Sequence, residues 1–386
     1  MVMAENKDKK VLNVPNQRFP EFQGEWQEER LSDIADLSKG IGISKDQLSA
    51  DGEPCILYGE LYTKYKSETI KEVISKTNID NTKLVKSKAN DVIIPCSGET
   101  AEEIATARCV LKDDILLGGD LNIIRLHRYD GSFMSYQLNG KRKYDIAKVA
   151  QGVSVVHLYG EHLKNIKTIN PSLNEQKKIA NLLSLLDERI STQNKIIEDL
   201  KKLKSAISER LFKNIKGDVI TLSEICDIVK GKQINGEYLS ESGEYYVMNG
   251  GTEPSGYYGD YNVDANTISI SEGGNSCGYV QFNTSPFWSG GHCYSIQNIA
   301  DHVDNLYLYH YLKSNEDVIM RLRIGSGLPN IQKKDLTMFK IKVPIFEQQI
   351  TISTFLSSLE RKADIEERIL NVILKQKLYL LHQMFI

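Results

Sequence analysis

Two stretches of the chain repeat apolar residues at intervals of three and four. In residues 175–212 the apolar positions are Ile179, Leu183, Leu186, Ile190, Ile197, Leu200, Ile207 and Leu211, with Lys, Glu and Asp between them. This spacing predicts one long amphipathic helix. No Gly or Pro interrupts it, and Gly217 lies just beyond its end. Residues 348–385 repeat the pattern with Ile352, Leu356, Leu359, Leu370, Ile373, Leu380 and Met384, and Pro171 and Pro344 stand ahead of the two helices. A helix of that length, roughly 57 Å at 1.5 Å per residue, cannot bury its seam against itself. The simplest cover is the other helix, and a globular segment between them lets the two run antiparallel. A coiled coil that dimerises the chain is the alternative. Gln193 and Glu366 fall within the seam, where polar residues either set register or mark a solvated gap.

Ahead of each helix the pattern is mixed. Asp91–Cys96 and Leu121–His127 read as short strands, as do Ala265–Ser271 and Tyr294–Gln297. Asn305–Lys313 reads as a helix beneath the latter two. Stretches 249–262 and 272–292 are dense in Gly, Tyr, Asn and Ser, the composition of recognition loops.

The two halves are copies. Leu163–Pro171 matches Leu336–Pro344 at an offset of 173, and the register holds without a gap to the chain end. Ile179 then pairs with Ile352, Leu183 with Leu356, Asp187 with Glu360 and Phe212 with Phe385, while Gly152-Val-Ser-Val aligns with Gly325-Ser-Gly-Leu. Leu31–Gly40 matches Leu222–Gly231 at an offset of 191. Matches in the same order at both ends of each module indicate duplication, with globular parts of unequal length. The expected fold is α+β: two mixed α/β domains separated by two long antiparallel helices, a coiled-coil spacer. The boundaries read as a tail over 1–22, a domain over 23–173, a helix over 174–213, a second domain over 217–346 and a second helix over 347–386.

Composition narrows the class. A chain of 386 residues that is 41% hydrophobic and 26% charged suits two or three globular units. No apolar run reaches the roughly 18 residues that span a bilayer, so no membrane partner is expected. The N-terminal stretch has no apolar segment, and six cysteines show no framework spacing, which together read as reduced thiols in a cytoplasm. Net charge is −3. Residues 31–150 hold 17 Lys and Arg against 18 Asp and Glu, and residues 217–345 hold 9 against 15. Phosphate binding draws on Lys and Arg, so a nucleic-acid grip would need a more basic partner.

Catalytic patterns are missing. The chain has no GxxxxGK[ST] loop, no GxGxxG between strand and helix, no HExxH and no CxxC pair. Asn170-Pro171 is followed by Ser-Leu rather than by a proline and an aromatic. Neither half repeats a titratable pair of the kind a duplicated active site would keep. No catalytic residue, metal site or cofactor is expected in this chain.

The duplicated layout resembles the specificity subunit of Type I restriction–modification systems, over nearly the whole chain from about Trp26 to Phe385. The most specific marks are Asn174-Glu-Gln-Lys-Lys-Ile-Ala-Asn-Leu-Leu-Ser-Leu-Leu-Asp187 and Glu347-Gln-Gln-Ile-Thr-Ile-Ser-Thr-Phe-Leu-Ser-Ser-Leu-Glu360. Val247-Met-Asn-Gly-Gly, Gly256-Tyr-Tyr and Pro286-Phe-Trp-Ser-Gly-Gly-His add to it. In the second copy the Glu-Gln pair sits one residue early and Glu360 stands where the family has Asp. The resemblance implies that each domain is a target-recognition domain and each helix a spacer. It implies double-stranded DNA as ligand and two modification subunits that bind S-adenosylmethionine and methylate adenine. It also implies restriction subunits that use ATP and Mg. Partner and spacer contacts are then expected at Glu175, Gln176, Ile179, Leu183, Leu186, Gln348, Ile352, Leu356 and Leu359.

Two rigidly spaced, unlike domains suit a bipartite, asymmetric site. Base reading needs donors such as Arg for guanine and Asn for adenine. The first domain offers Arg125, Arg128, Lys141, Arg142 and Lys143, although the last three also fit a solvated turn beside Gly140. The second offers Arg321 and Arg323, with Asn249, Asn275, Tyr257 and Tyr258 on loops. Two other readings stay open: a coiled-coil adaptor whose domains bind proteins or glycans, and an enzyme such as a nuclease with an unrecognised site.

Overall fold

The computed structural model describes residues 12–80, 82–152, 155–325, 327 and 329–386. Residues 1–11 of the expected tail lie outside these, as do parts of the Gly152 and Gly325 segments. The chain divides into two compact units, Met1–Gln193 with Ile369–Ile386, and Asn194–Arg368.

In the first unit, β1 (Gln27–Arg30) pairs antiparallel with β9 (Lys167–Asn170). The central sheet contains β2 (Ala35–Lys39), β4 (Thr69–Ile70), β5 (Asp91–Pro95), β6 (Arg108–Val110) and β8 (Leu121–Leu126), in the order β2-β8-β5-β6-β4. All five side chains of β5 are buried, consistent with a central strand covered on both faces. A second sheet holds the parallel pair of β3 (Glu53–Ile56) and β7 (Leu116–Leu117). Helix α1 (Gly131–Asn139) packs on the central sheet, started by Asp130, whose carboxylate accepts the Phe133 N–H.

The second unit repeats this frame. β10 (Asp218–Thr221) pairs with β18 (Lys340–Val343), with Asp218 opposite Val343 where Gln27 stands opposite Asn170. Those positions differ by 191 and 173, the two offsets of the sequence repeat. The four-stranded sheet of β11 (Asp227–Lys230), β14 (Thr267–Ser271), β15 (Val280–Asn283) and β17 (Cys293–Gln297) has the order β11-β17-β14-β15, which matches β2-β8-β5-β6. β12 (Tyr245–Met248) pairs in parallel with β16 (Trp288–Ser289) and antiparallel with β13 (Tyr257–Tyr258). Asp304 caps α3 (Asn305–Ser314) as Asp130 caps α1.

The long helices are α2 (Leu173–Asn214) and α4 (Phe346–Gln383). In the first unit, Ile179, Leu183 and Leu186 at the start of α2 share a core with Ile373 and Leu380 near the end of α4. In the second unit, Ile207 and Leu211 at the end of α2 share a core with Ile352 and Leu356 at the start of α4. Start against end in both units is antiparallel pairing, and each buried Leu or Ile contributes about 1.5–3 kcal/mol. Gln193 and Glu366 are 7% and 8% exposed, and Glu366 is ion-paired to Lys362, so the seam has no solvated gap at either.

Two expectations need correction. Residues 12–22 are not a solvated tail: the Trp26 N–H donates to the Asn13 carbonyl, Phe19 packs on the first unit's helix core, and Arg18 is ion-paired to Glu175. A repeated titratable pair does exist. Lys377 binds Asp187 and Glu68 at 2.6 and 2.7 Å in the first unit, and its repeat mate Lys204 binds Glu360 in the second. Tyr136 donates to Asp187 at 2.7 Å and Tyr309 to Glu360 at 3.0 Å. These pairs tie helix to helix and domain to helix, so their preservation is structural. Glu360 therefore performs the task of Asp187.

Candidate nucleic-acid interface

In both units the loops gather at one end of the main sheet, where β2 or β11 ends and β8 or β17 begins. A glycine is required there. A Cβ on Gly40 would lie 2.0 Å from the Gly118 carbonyl oxygen, and one on its repeat mate Gly231 would lie 2.2 Å from that of Gly290. The close approach seats Gly118-Gly119-Asp120 in one unit and Gly290-Gly291-His292 in the other. Each turn then accepts one backbone hydrogen bond from the next strand, Cys96 N–H to Asp120 O at 2.7 Å and Glu272 N–H to His292 O at 2.9 Å.

Around the first turn, Ser97 Oγ donates to the Asp120 carboxylate at 3.2 Å. Asp120 sits at φ 57°, a left-handed conformation that an Asx side chain tolerates. Tyr159 lies between His157 and His162, with Lys39 Nζ 5.7 Å from its ring centre. This end combines a cation, aromatic faces and a carboxylate.

Around the second turn, the Asn249 side-chain oxygen accepts the His292 N–H at 3.2 Å, and Gly274 N–H donates to Pro329 O at 3.0 Å. Glu272 lies beneath them. Its Oε1 accepts Lys230 Nζ at 2.7 Å and the Tyr294 hydroxyl at 2.9 Å. Burial, then this hydrogen bond to a carboxylate, pushes the Tyr294 phenol far above its ordinary value. Glu272 Oε2 is buried and makes no hydrogen bond among the described residues, while the largely exposed His292 ring places Nδ1 3.8 Å from it. Ile324, next to Arg323, exchanges backbone hydrogen bonds of 2.8 and 3.0 Å with Asn330, which in turn bridges to Gly273, and this seats Arg323 beside the cluster.

The expected residues separate accordingly. Asn249, the exposed Asn275 and Arg323 belong to the glycine-loop end of the second unit. Tyr257 and Tyr258 are half-buried on β13, with the Tyr258 ring 5.2 Å from Trp288. Arg321 is exposed and its Nε caps the Asp317 carbonyl. In the first unit the five basic residues form no single patch. Arg125 lies toward the opposite end of β8 and is held by Asp91 through bonds of 2.9 and 2.7 Å, which raise its pKa. Arg128 is exposed beyond it. Arg142 donates to the Ile386 carbonyl and to Asp145, and the half-buried Lys141 and Lys143 flank it at the start of the helix Lys143–Val149. The reason is strand direction: a residue late in β8 points its end of the sheet away from Asp120. The structure also brings Lys39, Lys230, Glu272, His157, Tyr159 and His292 to these ends; none was singled out from sequence, although Lys39-Gly40 and Lys230-Gly231 stand inside the matched opening segments and could have been read as a repeated loop.

The helix-start residues also redistribute. Glu175, Gln176, Ile179, Leu183, Leu186, Ile352 and Leu356 are buried within their own units, so their side chains hold the spacer together rather than face a partner. Leu359 is half-buried and Gln348 is exposed. Gln176 accepts the Asp130 N–H and donates to Pro171 O; Gln349, not Gln348, accepts the Asp304 N–H and donates to Pro344 O. The repeat is in register after all at this glutamine. All six cysteines are buried and free. No helix among the described residues is long and apolar enough to cross a membrane, and no cluster that could hold a metal ion occurs among them.

Two unlike loop ends on one duplicated frame are the architecture of a modular binding protein. The family model for the Type I restriction modification DNA specificity domain matches residues 23–202 and 214–375, and the chain belongs to that family. This sets aside the adaptor reading. A Mycoplasma pneumoniae protein named as a candidate type I specificity subunit is 30% identical over 167 residues, 43% of this chain and 44% of that protein. The specificity subunit of the Methanocaldococcus jannaschii type I restriction enzyme MjaVIII is 27% identical over 261 residues, 63% of this chain and 58% of that protein. These matches therefore span about half the length of each relative. The crystal structure of a Type I restriction–modification S subunit from M. genitalium shares the fold, with a TM-score of 0.73, 21% identity and coverage of 97% of this chain and 99% of that one.

Proposed function

We propose that this chain is the DNA-reading specificity subunit of a Type I restriction–modification complex, and that each unit reads one half of a bipartite, asymmetric site. The observation that carries the reading is the shared sheet frame, which keeps a lysine at one end (Lys39 and Lys230) but bears different side chains beside it: Asp120 and Tyr159 in the first unit, Asn249 and His292 in the second. A common frame gives a common way of approaching the duplex. Different side chains at its tip give different half-sites. The acidic balance of residues 217–345 leaves most phosphate neutralisation to other proteins. The chain itself performs no catalysis. Two modification subunits carrying S-adenosylmethionine and restriction subunits using ATP and Mg supply the chemistry, in the cytoplasm.

Co-expression of this chain with its modification subunit, followed by genome-wide mapping of methylated adenines, tests the reading. The expected result is one motif of two unlike short blocks separated by unread bases. A palindromic motif, or a single contiguous one, would contradict it. Turnover of DNA or ATP by the purified chain, abolished by changes in its own residues, would overturn the non-catalytic assignment.

A further inference from the structure

The duplication builds the same groove twice, and among the described residues the chain fills only one of them. In the first unit, residues 17–19 lie across the end of α4 and the start of α2. The Gln17 N–H donates to the Gln383 carbonyl at 3.0 Å, and the Arg18 guanidinium makes two 2.7 Å hydrogen bonds to Glu175. Phe19 packs on the cluster of Ile179, Leu380 and Met384, with Lys178 Nζ 4.6 Å from its ring centre.

At an offset of 173, the residues Leu380, Gln383, Met384, Glu175 and Ile179 become Ile207, Arg210, Leu211, Gln348 and Ile352. These five line an open groove of about 360 Å³ in the second unit. There the chain passes from Asn214, the end of α2, to Asp218 in three residues, and nothing corresponding to residues 12–24 is inserted.

The apolar floor is conserved between the grooves, but the charges are exchanged. The wall acid Glu175 becomes the neutral Gln348, and the neutral Gln383 becomes Arg210. Arg210 is exposed and makes no ion pair among the described residues. A second copy of Gln17-Arg18-Phe19 would therefore meet the neutral Gln348 where its own groove offers the Glu175 carboxylate, and the cation Arg210 where its own groove offers the neutral Gln383. We propose that the second unit's groove docks an extended segment of a partner protein in which an aromatic side chain follows a carboxylate. The aromatic ring covers Ile207, Leu211 and Ile352, and the carboxylate pairs with Arg210. The occupied twin shows the backbone path and the side-chain positions; the exchanged charges select the acid.

Fluorescence anisotropy with two labelled peptides tests this on the full chain. One carries residues 12–25 unchanged and the other carries Arg18→Glu. The first unit's groove does not compete, because its own tethered segment holds it at high effective concentration. The Arg18→Glu peptide is expected to bind about tenfold tighter, the size of one charge match gained and one mismatch removed. A photoreactive benzoyl-phenylalanine at the position of Phe19 should cross-link to residues 207–215. In the chain carrying Arg210→Gln with Gln348→Glu, the preference should reverse; both positions are exposed, so folding is retained and is checked by circular dichroism. Equal affinities, no binding of either peptide at millimolar concentration, or cross-links confined to other residues would overturn the proposal. The outcome does not depend on DNA reading, so failure here and failure of the recognition model are separable.

Discussion

Replacing Gln349 with alanine isolates the contact that welds a recognition domain to its helix. The side chain is fully buried. Its oxygen accepts the Asp304 N–H at 2.9 Å, and its amide donates to His302 O at 3.0 Å and Pro344 O at 2.8 Å. Three buried hydrogen bonds at about 1 kcal/mol each set the loss at about 3 kcal/mol. The Asp304 N–H then has no partner at the start of α3, in a site closed to water, which puts the loss at the upper end of that range. Gln348→Ala, one residue earlier and exposed, should stay within about 0.5 kcal/mol of the parent. Gln176→Ala, with two bonds of the same kind, should cost the first unit about 2 kcal/mol. Native-state hydrogen exchange reads each unit separately, and the amides of the first turn of α3 should lose protection in Gln349→Ala alone. Equal protection in Gln348→Ala and Gln349→Ala would refute the register of the repeat and the role given to this glutamine.

Other expectations follow from single contacts. Lys377→Met leaves Glu68 and Asp187 without their cation and should destabilise the first unit by about 3–5 kcal/mol, measured by urea unfolding; a change under 1 kcal/mol would contradict the pairing. His310, 2% exposed, is pushed down to about 4, chiefly by burial, with Lys204 adding to it and Glu360 opposing. The unfolded chain therefore takes up a proton between about pH 6.5 and 4 that the fold refuses. The second unit should lose about 3 kcal/mol across that window, and His310→Gln should flatten the slope. His292→Ala should abolish recognition of one half-site while complex assembly, followed by size exclusion, is unchanged; an intact motif would remove His292 from the interface.

The helices and the duplication were legible because both are written in local periodicity and in segments that align without gaps. Ile179 and Ile352, or Leu183 and Leu356, announce the seam without any three-dimensional information. The candidate recognition end was legible only in part. It is assembled from residues near 40, 97, 120 and 158 in one unit and near 231, 249, 272 and 292 in the other, which share no period. Charge alone pointed to Arg125 and Arg142, but each is consumed by an internal partner, Asp91 for one and the Ile386 carbonyl with Asp145 for the other. Glu175 and Gln176 are likewise engaged within the chain. Where contacts with a partner were expected, the structure shows buried bonds to Arg18, Asp130 and Pro171.

The central claim is that the two units read DNA separately. The most direct test replaces residues 219–345 with the corresponding segment of a relative that recognises a different site. Methylated adenines are then mapped in cells that also make the modification subunit. The account predicts that one half of the motif changes to the donor's and the other half stays as it was. A motif altered in both halves, from a chain that still assembles and directs methylation, would contradict it.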